Sequence, residues 1–360
     1  MKILVSGLMG PGTLEAKIEP LVNIDYIDEI IFLRKEIGPS INKVTYVKLP
    51  VLCKFPIFNI LLTPIILMRQ VYIHKPTLLV GYHFIPYAFF VFLASIITKK
   101  PYIVAQTGLM VQKSVKKNII IRYIFNLIFK NALQVNCPGR ASVSYWEGIY
   151  PGIKERFTVL HSSIDTNRFL PCEEIEKDIT FVYVGRLASV KNIDLIIRAF
   201  YFFNKNLNSD SSTNFYIVGD GPKLKELKEL TYSLGIDNKV IFTGFKRFPE
   251  KILQRAQFSI MASTSEGLPT AMMQAMACGA IQITNQVGNI KDLVQDGVTG
   301  LVFQNNDPMI IAKKMQDAMN YDPEQVKLIR DNSRSAIINF HSHEASVKKW
   351  LHLFNQRNTF

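Results

Sequence analysis

The sequence predicts an α/β protein built from two doubly wound domains, each a parallel sheet with helices on both faces. Short apolar runs of strand type, such as "TLLVGY" and "ITFVYVG", alternate with helical segments along the chain. Strands that are apolar throughout are typical of parallel sheets buried on both faces. The alternation begins anew after about residue 165 with "ITFVYVGR", so the 360 residues contain two such series.

The two series of strands and helices predict two domains of ordinary size. The first is predicted over residues 1–166 and the second over 167–344, with the boundary near "SSIDTNRFLPCEE". The four cysteines show neither a C-x-x-C pattern nor a zinc-ligand spacing, so they are interpreted as buried residues in a reducing compartment. The opening "MKILVSGL" is too short and too strand-like for a signal peptide, which argues against secretion.

Positive charge is concentrated in the first half of the chain. The net charge is +13, and no Asp or Glu occurs between Ile37 and Trp146, a stretch that holds thirteen Lys and Arg. This asymmetry predicts an anionic partner for the first domain. A nucleic acid is disfavoured, because the basic residues alternate with large aliphatic runs and no DNA- or RNA-binding motif is present.

Two apolar segments raise the question of a membrane span. Thr77–Thr98 carries no charge over 22 residues and is long enough to cross a bilayer. Gly81, His83 and Pro86 interrupt it, so a buried strand followed by a buried helix is the preferred prediction. Phe55–Met68 is predicted to be a helix that either packs on the sheet or binds another apolar surface.

Several loops at predicted strand ends carry groups suited to an anion, and ligands of open α/β sheets bind at such ends. In "GRLASVKN", Arg186 and Lys191 follow a strand and open a helix, whose free N–H groups and dipole would add to their charge. A solvated surface pair is the alternative. Gly10 and Gly12 in "GLMGPG" let backbone approach a phosphate closely, or simply form a tight turn. "GDGP" is predicted to be a turn with Asp220 at a helix N-cap.

A further strand end carries a carboxylate. "EGLPTAMMQAMACGA" follows the strand "FSIMAST", which places Glu266 at the end of that strand. Pro269 suits the first turn of the helix that follows. Gln274 is expected on or close to the helical face that carries Glu266, or else to be a surface amide.

These motifs, in this order, resemble glycosyltransferase family 4, the group 1 glycosyltransferases of GT-B fold. "GRLASVK", "GDGP", "EGLP" with "QAMACGA", and "GNIKDLVQDGVTGLVF" carry the resemblance, which is dense from about residue 160 to 305. It implies two Rossmann-like domains that face a cleft, the first binding the acceptor and the second the donor. The tail, about 345–360, resembles the terminal helical region that packs back on the first domain, and His341 and His343 are predicted to be surface residues.

The resemblance implies retaining transfer of a hexose or N-acetylhexosamine from a nucleotide diphosphate sugar, preferably a UDP-sugar, without a metal ion or other cofactor. The implied acceptor is a lipid-linked sugar or a glycan in surface polysaccharide biosynthesis. Arg186 and Lys191 would stabilise the departing diphosphate. Glu266 would bind hydroxyls of the donor sugar, and Gln274 would bind the ribose where the family has a Glu. His83 would lie against the donor sugar. The remaining donor contacts implied are Gly12, Gly267, Leu268, Pro269 and Thr270.

Two other function classes remain open. Gln274 is also compatible with a catalytically weak GT-B subunit that binds a nucleotide sugar or a partner enzyme. A sugar-nucleotide epimerase would need acid/base carboxylates, and the acid-free stretch 37–146 supplies none from most of the first domain.

A basic amphipathic helix is predicted between Gln112 and Ala132. Its cations stand among Ile, Phe and Leu, which suits the surface of an anionic bilayer. The alternative is a helix packed on the sheet with a solvated basic edge. We therefore expect a cytoplasmic protein that is peripherally associated with the inner face of the cell membrane. The residues predicted to face the membrane are Lys113, Lys116, Lys117 and Arg122.

Overall fold

Two parallel β-sheets organise the chain, one in each of two structural units. The computed structural model describes residues 1–106, 112, 115, 118–172, 178–207 and 213–355. Unit 1 comprises Met1–Ser163 together with the segment from His343 onward, and unit 2 comprises Ile164–Ser342. The structural boundary between the units lies after Ser163, whereas the sequence predicted a domain boundary after residue 166.

The sheet of unit 1 is parallel throughout. Its strands are β1 (Lys2–Ser6), β2 (Glu29–Arg34), β3 (Val44–Lys48), β4 (Leu78–Tyr82), β5 (Tyr102–Ala105), β6 (Gln134–Cys137) and β7 (Phe157–Val159). They follow the order β3-β2-β1-β4-β5-β6-β7. The helices described between them are α1 (Pro11–Val22), α2 (Pro56–His74), α3 (Phe89–Thr98), α4 (Ile119–Asn131) and α5 (Arg140–Ile149). The strand and helix predicted within Thr77–Thr98 are confirmed as β4 and α3.

Helices cover both faces of this sheet, as expected for strands that are apolar on both sides. The helices α2, α3, α4 and α5 pack on one face, where Leu67 and Phe125 are buried with Leu79 of the sheet. The helix α1 lies on the opposite face. The helix His343–Asn355 contacts α1 on that face and buries Trp350 in the same core.

The two histidines predicted to lie on the surface are buried, so that prediction was wrong. His341 and His343 are 2% and 8% exposed. The ring of His343 has Nδ1 2.9 Å from Ser163 Oγ and Nε2 2.9 Å from Glu19 Oε2. A histidine in a polar segment gives no local signal of burial. The burial of His343 comes from a contact between the helix it begins and α1, two segments that are distant in the sequence.

The sheet of unit 2 is also parallel, and its strand order reverses in the middle. Its strands are β8 (Ile179–Val184), β9 (Phe215–Val218), β10 (Val240–Gly244), β11 (Ala256–Met261), β12 (Ile281–Thr284) and β13 (Leu301–Val302). The helices are α6 (Ile193–Lys205), α7 (Leu224–Ser233), α8 (Glu250–Arg255), α9 (Thr270–Ala277), α10 (Pro308–Met319) and α11 (Pro323–His341), and the helix α12 (His343–Asn355) belongs to unit 1. The order is β10-β9-β8-β11-β12-β13. Ligands of open α/β sheets bind where the order reverses, which directs attention to the loops after β8 and β11.

The helix α2 is long, apolar and only partly covered. By length and composition it could cross a membrane, and 28% of its most apolar window is buried in the fold. Leu67 and Val71 pack into the core, whereas Ile57, Leu61 and Ile65 are exposed. The segment predicted as a helix therefore packs on the sheet along one side and exposes apolar side chains along the other.

Candidate nucleotide-sugar site

The loops that follow β8 and β11 are tied together by hydrogen bonds. The Thr264 N–H donates to the Val190 carbonyl at 2.9 Å, and the Asn192 Nδ2 donates to the Ala262 carbonyl at 3.0 Å. Asn192 has a φ of 49°, a left-handed conformation that Asn tolerates better than most residues, and α6 begins directly after it. These contacts hold the side chains of the two loops in a fixed relation.

An ion pair joins the same two loops. Lys191 Nζ lies 2.5 Å from Glu266 Oε1, although the two residues are 75 positions apart in the chain. The side chain of Glu266 is 8% exposed and that of Lys191 is 22% exposed. Water and salt screen such a partly buried pair less than a surface pair. The structure thus brings two of the predicted site residues into direct contact.

Arg186 and a buried tyrosine stand at the end of β8. Arg186 is exposed, and its guanidinium makes no hydrogen bond or ion pair with any other described residue. Its carbonyl accepts a hydrogen bond from the Tyr183 hydroxyl at 3.2 Å. Burial, followed by the negative charge of Glu266, raises the pKa of Tyr183, so this phenol stays neutral and donates. The sequence reasoning missed Tyr183, whose signal was a hydroxyl-bearing ring in a buried strand that needs a polar partner.

The turn after β9 approaches the loop after β8 so closely that glycine is required. A Cβ on Gly219 would lie 1.9 Å from the Gly185 carbonyl oxygen. Asp220 Oδ1 accepts a hydrogen bond from the Gly221 N–H at 2.7 Å, but α7 begins only at Leu224. The predicted turn is therefore present, and the N-cap role predicted for Asp220 is wrong.

A cavity of about 760 Å³ opens beside these loops. Small-molecule sites have volumes of roughly 300–1,000 Å³. The cavity lining includes Gly185, Arg186, Gly219, Asp220, Phe245 and Lys246. Phe245 and Lys246 follow β10 and belong to no motif that the sequence offered. Two cations and an exposed ring suit an anion that carries a flat aromatic group. Across the described residues, no group of three or more His, Cys, Asp or Glu could hold a metal ion.

The helix α9 presents its N-terminus directly after the loop of Glu266. It begins at Thr270, with Pro269 at the N-cap and without a side-chain cap, so its first N–H groups can receive an anion. Pro269 therefore precedes the helix, and the prediction that it lies in the first turn was wrong. Gly267 and Thr270 are partly exposed, whereas Leu268 and Pro269 are buried.

Gln274 lies on α9, while Glu266 lies in the loop before it. The helical spacing predicted to place the two on one face is wrong, because the chain from Glu266 to Pro269 is not helical. The Gln274 side chain is partly exposed, which leaves its amide accessible to a ligand.

His83, in unit 1, follows β4 with an unusual backbone conformation. Its φ of 67° is uncommon for a residue other than glycine, and such conformations cluster at functional sites. Its N–H donates to the Ala105 carbonyl at 3.0 Å, and its ring centroid lies 6.4 Å from that of Tyr87. Burial lowers the pKa of His83, which keeps the ring neutral at neutral pH.

Acidification should destabilise the fold in part through His83. Since its folded-state pKa lies below the ordinary 6.5, the unfolded chain takes up the proton first. The contribution is therefore complete above pH 6.5 and is lost as the pH falls through the folded-state pKa. We expect His83→Gln to flatten the dependence of the unfolding midpoint on pH in this window, as measured by thermal denaturation. The exposed His352, replaced by Gln, is the control. Equal slopes for His83→Gln and the wild type would contradict the assignment.

The remaining site residues predicted in unit 1 are Gly12 and the residues predicted to face the membrane. Gly12 lies in the first turn of α1, after Gly10 as an N-cap without a side-chain hydrogen bond, and a Cβ at either glycine would meet no atom within 4 Å. The predicted membrane-facing residues Lys113, Lys116 and Lys117 lie outside the described residues. Arg122 is exposed on α4, and its Nη2 donates to the Ile149 carbonyl at 3.2 Å.

The two parallel doubly wound units, with charged loops at the strand ends of the second, define a GT-B protein. The same fold occurs in the Anabaena protein HepE, solved in complex with UDP and glucose. The two chains superimpose with a TM-score of 0.81 over 99% of each, at 17% sequence identity.

The second half of the chain matches a known family model. The matched residues are 169–335, and the family is described as "Glycosyl transferases group 1". A relative from Campylobacter jejuni, GalNAc-alpha-(1->4)-GalNAc-alpha-(1->3)-diNAcBac-PP-undecaprenol alpha-1,4-N-acetyl-D-galactosaminyltransferase, is 30% identical over 157 residues, 43% of each chain. Another from the same organism, N-acetylgalactosamine-N,N'-diacetylbacillosaminyl-diphospho-undecaprenol 4-alpha-N-acetylgalactosaminyltransferase, is 24% identical over 55% of this chain and 53% of its own. The chain spans about half the length of these curated relatives.

Proposed function

We propose that the protein is a retaining, metal-independent glycosyltransferase that moves a hexose or N-acetylhexosamine from a nucleotide diphosphate sugar to a lipid-linked or glycan acceptor in surface polysaccharide biosynthesis. The observation that carries the proposal is the Lys191–Glu266 ion pair at 2.5 Å. Burial, and then the charge of Glu266, raises the pKa of Tyr183, whose hydroxyl donates to the carbonyl of Arg186, and Arg186 lines the cavity.

The chemistry of sugar transfer accounts for each of these groups. The bond between the anomeric carbon and the diphosphate breaks, and negative charge develops on the leaving phosphate. Positive groups already in place stabilise that charge without reorganisation, a task for Arg186 and Lys191 together with the uncapped N-terminus of α9. Glu266 is oriented by its contact with Lys191, so that its side-chain oxygens can accept hydrogen bonds from donor-sugar hydroxyls.

The donor is proposed to be a UDP-sugar. The exposed ring of Phe245 and the cation of Lys246 line the cavity that Arg186 also enters. A flat base can stack on such a ring while the phosphates turn toward the cations. The structure of HepE with UDP and glucose supports the uridine preference.

The acceptor is proposed to be lipid-linked and to be reached at the cytoplasmic face of the membrane, with which the protein associates peripherally. The names of both Campylobacter relatives include an undecaprenol-linked glycan. The acid-free stretch 37–146, all within unit 1, supplies the positive charge that an anionic membrane surface would attract.

The test is the release of nucleotide from UDP-glucose, UDP-N-acetylglucosamine, UDP-N-acetylgalactosamine and GDP-mannose, with and without a chelator. Turnover of a UDP-sugar that survives chelation and is lost in Glu266→Ala is the expected result. Lys223→Ala is the matched control, because Lys223 pairs with Glu226 at 2.6 Å on the surface of the same unit. Failure to bind or turn over any of the four donors would contradict the proposal. Tight UDP binding without turnover would instead favour the catalytically weak subunit to which Gln274 points.

Gln274→Glu should retain turnover and change the KM for the donor. An amide offers one acceptor oxygen and two donors to a ribose diol, whereas a carboxylate accepts from both hydroxyls. Contacts made equally in the ground and transition states alter KM with little effect on kcat. Steady-state kinetics against donor concentration measure the effect, with Gln254→Glu on α8 as the control. Loss of kcat with unchanged donor affinity would exclude the ribose role.

A further inference from the structure

The outer surface of the helical layer α2, α3 and α4 is unusually apolar. All three helices pack on one face of the unit 1 sheet, and α3 contacts both α2 and α4. Their outward side chains form what we call the apolar face. It includes Ile57, Leu61 and Ile65 on α2, Ile97 on α3, and Ile120 and Tyr123 on α4, each more than half exposed. Exposed apolar side chains grouped on neighbouring helices favour an interaction site.

The spacing on α2 shows that the exposure is organised. Ile57, Leu61 and Ile65 recur every four residues and therefore lie along one side of the helix. The opposite side buries Thr63, Leu67 and Val71, and Thr63 Oγ1 hydrogen bonds to Asn59 Oδ1 at 2.8 Å on that buried side. This helix is thus anchored to the sheet and offers a continuous aliphatic stripe to its surroundings.

Positive charges border the apolar face without acidic neighbours in sequence. Lys54 precedes α2, Arg69 lies on it, and Lys75 follows it; all three are exposed. Lys99 follows α3 and Lys130 ends α4, and both are exposed. None of these five forms an ion pair with another described residue. A surface that combines aliphatic side chains with uncompensated cations complements an anionic bilayer, because the chains enter the acyl boundary while the cations remain at the headgroups.

We propose that the apolar face is a membrane-docking surface that inserts into the headgroup and acyl boundary of an anionic bilayer, with α2 lying in the plane of the interface. This inference rests on the proposed membrane association and assigns it to a surface other than the predicted Lys113, Lys116 and Lys117. A spanning α2 is disfavoured, because Leu67 and Val71 would have to leave the core that they complete. The membrane would then hold unit 1 against the layer that carries a lipid-borne acceptor.

The test is co-sedimentation of the full chain with vesicles of phosphatidylcholine, alone or with about 30 mol% phosphatidylglycerol, over a salt series. We expect the wild type to prefer the anionic vesicles and to bind them less as salt rises. The triple variant Ile57→Gln, Leu61→Gln, Ile65→Gln should bind on the order of tenfold more weakly at every salt concentration. The triple variant Lys54→Gln, Arg69→Gln, Lys75→Gln should instead weaken the salt dependence, because Lys99 and Lys130 remain.

The matched control replaces three exposed apolar residues of unit 2, in Met309→Gln, Leu328→Gln, Ile338→Gln, and should bind vesicles like the wild type. Thermal denaturation shows that each variant is folded. Wild-type binding by the α2 triple variant, or equal wild-type binding to neutral and anionic vesicles, would overturn the proposal. So would a wild-type dimer in sedimentation velocity that the α2 substitutions dissociate, because a second copy would then cover the face.

Donor turnover separates this proposal from the proposed function. Release of UDP from a donor in the absence of vesicles should be the same in the wild type and in all three triple variants, because none of the substituted residues belongs to the proposed donor site. Vesicle binding without turnover would contradict the proposed function alone. Turnover without vesicle binding would contradict the docking surface alone.

Discussion

Arg186→Ala should lower kcat by about 100-fold, a loss of about 3 kcal/mol of transition-state stabilisation, without a measurable loss of stability. The guanidinium is exposed in the wall of the cavity and holds no other described side chain, so its removal leaves no buried group unpaired. Its charge acts only when the diphosphate departs. Single-turnover kinetics at saturating donor, together with thermal denaturation, measure the two effects separately.

Lys191→Ala should lower kcat to a similar extent but should also destabilise unit 2. Its ammonium pairs with Glu266, which is 8% exposed at the side chain, and truncation of one partner leaves a buried charge without compensation. The double variant Lys191→Met, Glu266→Gln removes both charges and should recover most of the stability without recovering kcat. Lys223→Ala again serves as the control. Near-normal turnover by a folded Arg186→Ala, Lys191→Ala variant would contradict the assignment of both cations.

Lys17→Met should raise the free energy of unfolding by roughly 1–3 kcal/mol at neutral pH. Lys17 lies on α1 and is 6% exposed, and its Nζ reaches the Leu160 carbonyl only at 3.4 Å. Burial, and then the charge of Lys349, lowers the pKa of Lys17 from 10.5 to about 8. The unfolded chain therefore binds this proton more tightly than the folded protein does. Methionine retains the aliphatic length of lysine and removes the buried charge.

The pH dependence of this gain has a definite sign. Below pH 8 the folded protein carries the full cost of the buried ammonium, and between pH 8 and 10.5 that cost disappears as the folded state releases the proton. The advantage of Lys17→Met should therefore be largest at neutral pH and vanish near pH 10.5. Denaturant unfolding across this range tests it, with the exposed Lys48→Met as the control. A Lys17→Met variant less stable than the wild type at neutral pH would contradict the account.

The sequence predicted the fold well because its signals are local. Apolar strands such as "TLLVGY" and strand-end turns such as "GDGP" can be recognised from a few neighbouring residues. The motifs also placed Arg186, Lys191 and Glu266 near strand ends of unit 2, because each lies in the loop that follows its strand.

What the sequence did not predict depends on contacts between distant residues. The ion pair of Lys191 with Glu266 and the burial of His343 against Glu19 each join segments far apart in the chain. Tyr183 and Phe245 enter the site through the spatial order of the strands, which periodicity does not give. The spacing assumed for Gln274 was wrong because the chain from Glu266 to Pro269 precedes α9 and is not helical.

Because α12 belongs to unit 1, synthesis of unit 1 is completed only after unit 2 has been made. Unit 2 is continuous from Ile164 to Ser342, whereas unit 1 takes its last helix from beyond it. As the chain leaves the ribosome, the part of the sheet face and of α1 that Trp350 will cover stays exposed while all of unit 2 is made. Unit 2 can therefore reach its native state first, whereas unit 1 completes its core only when α12 arrives.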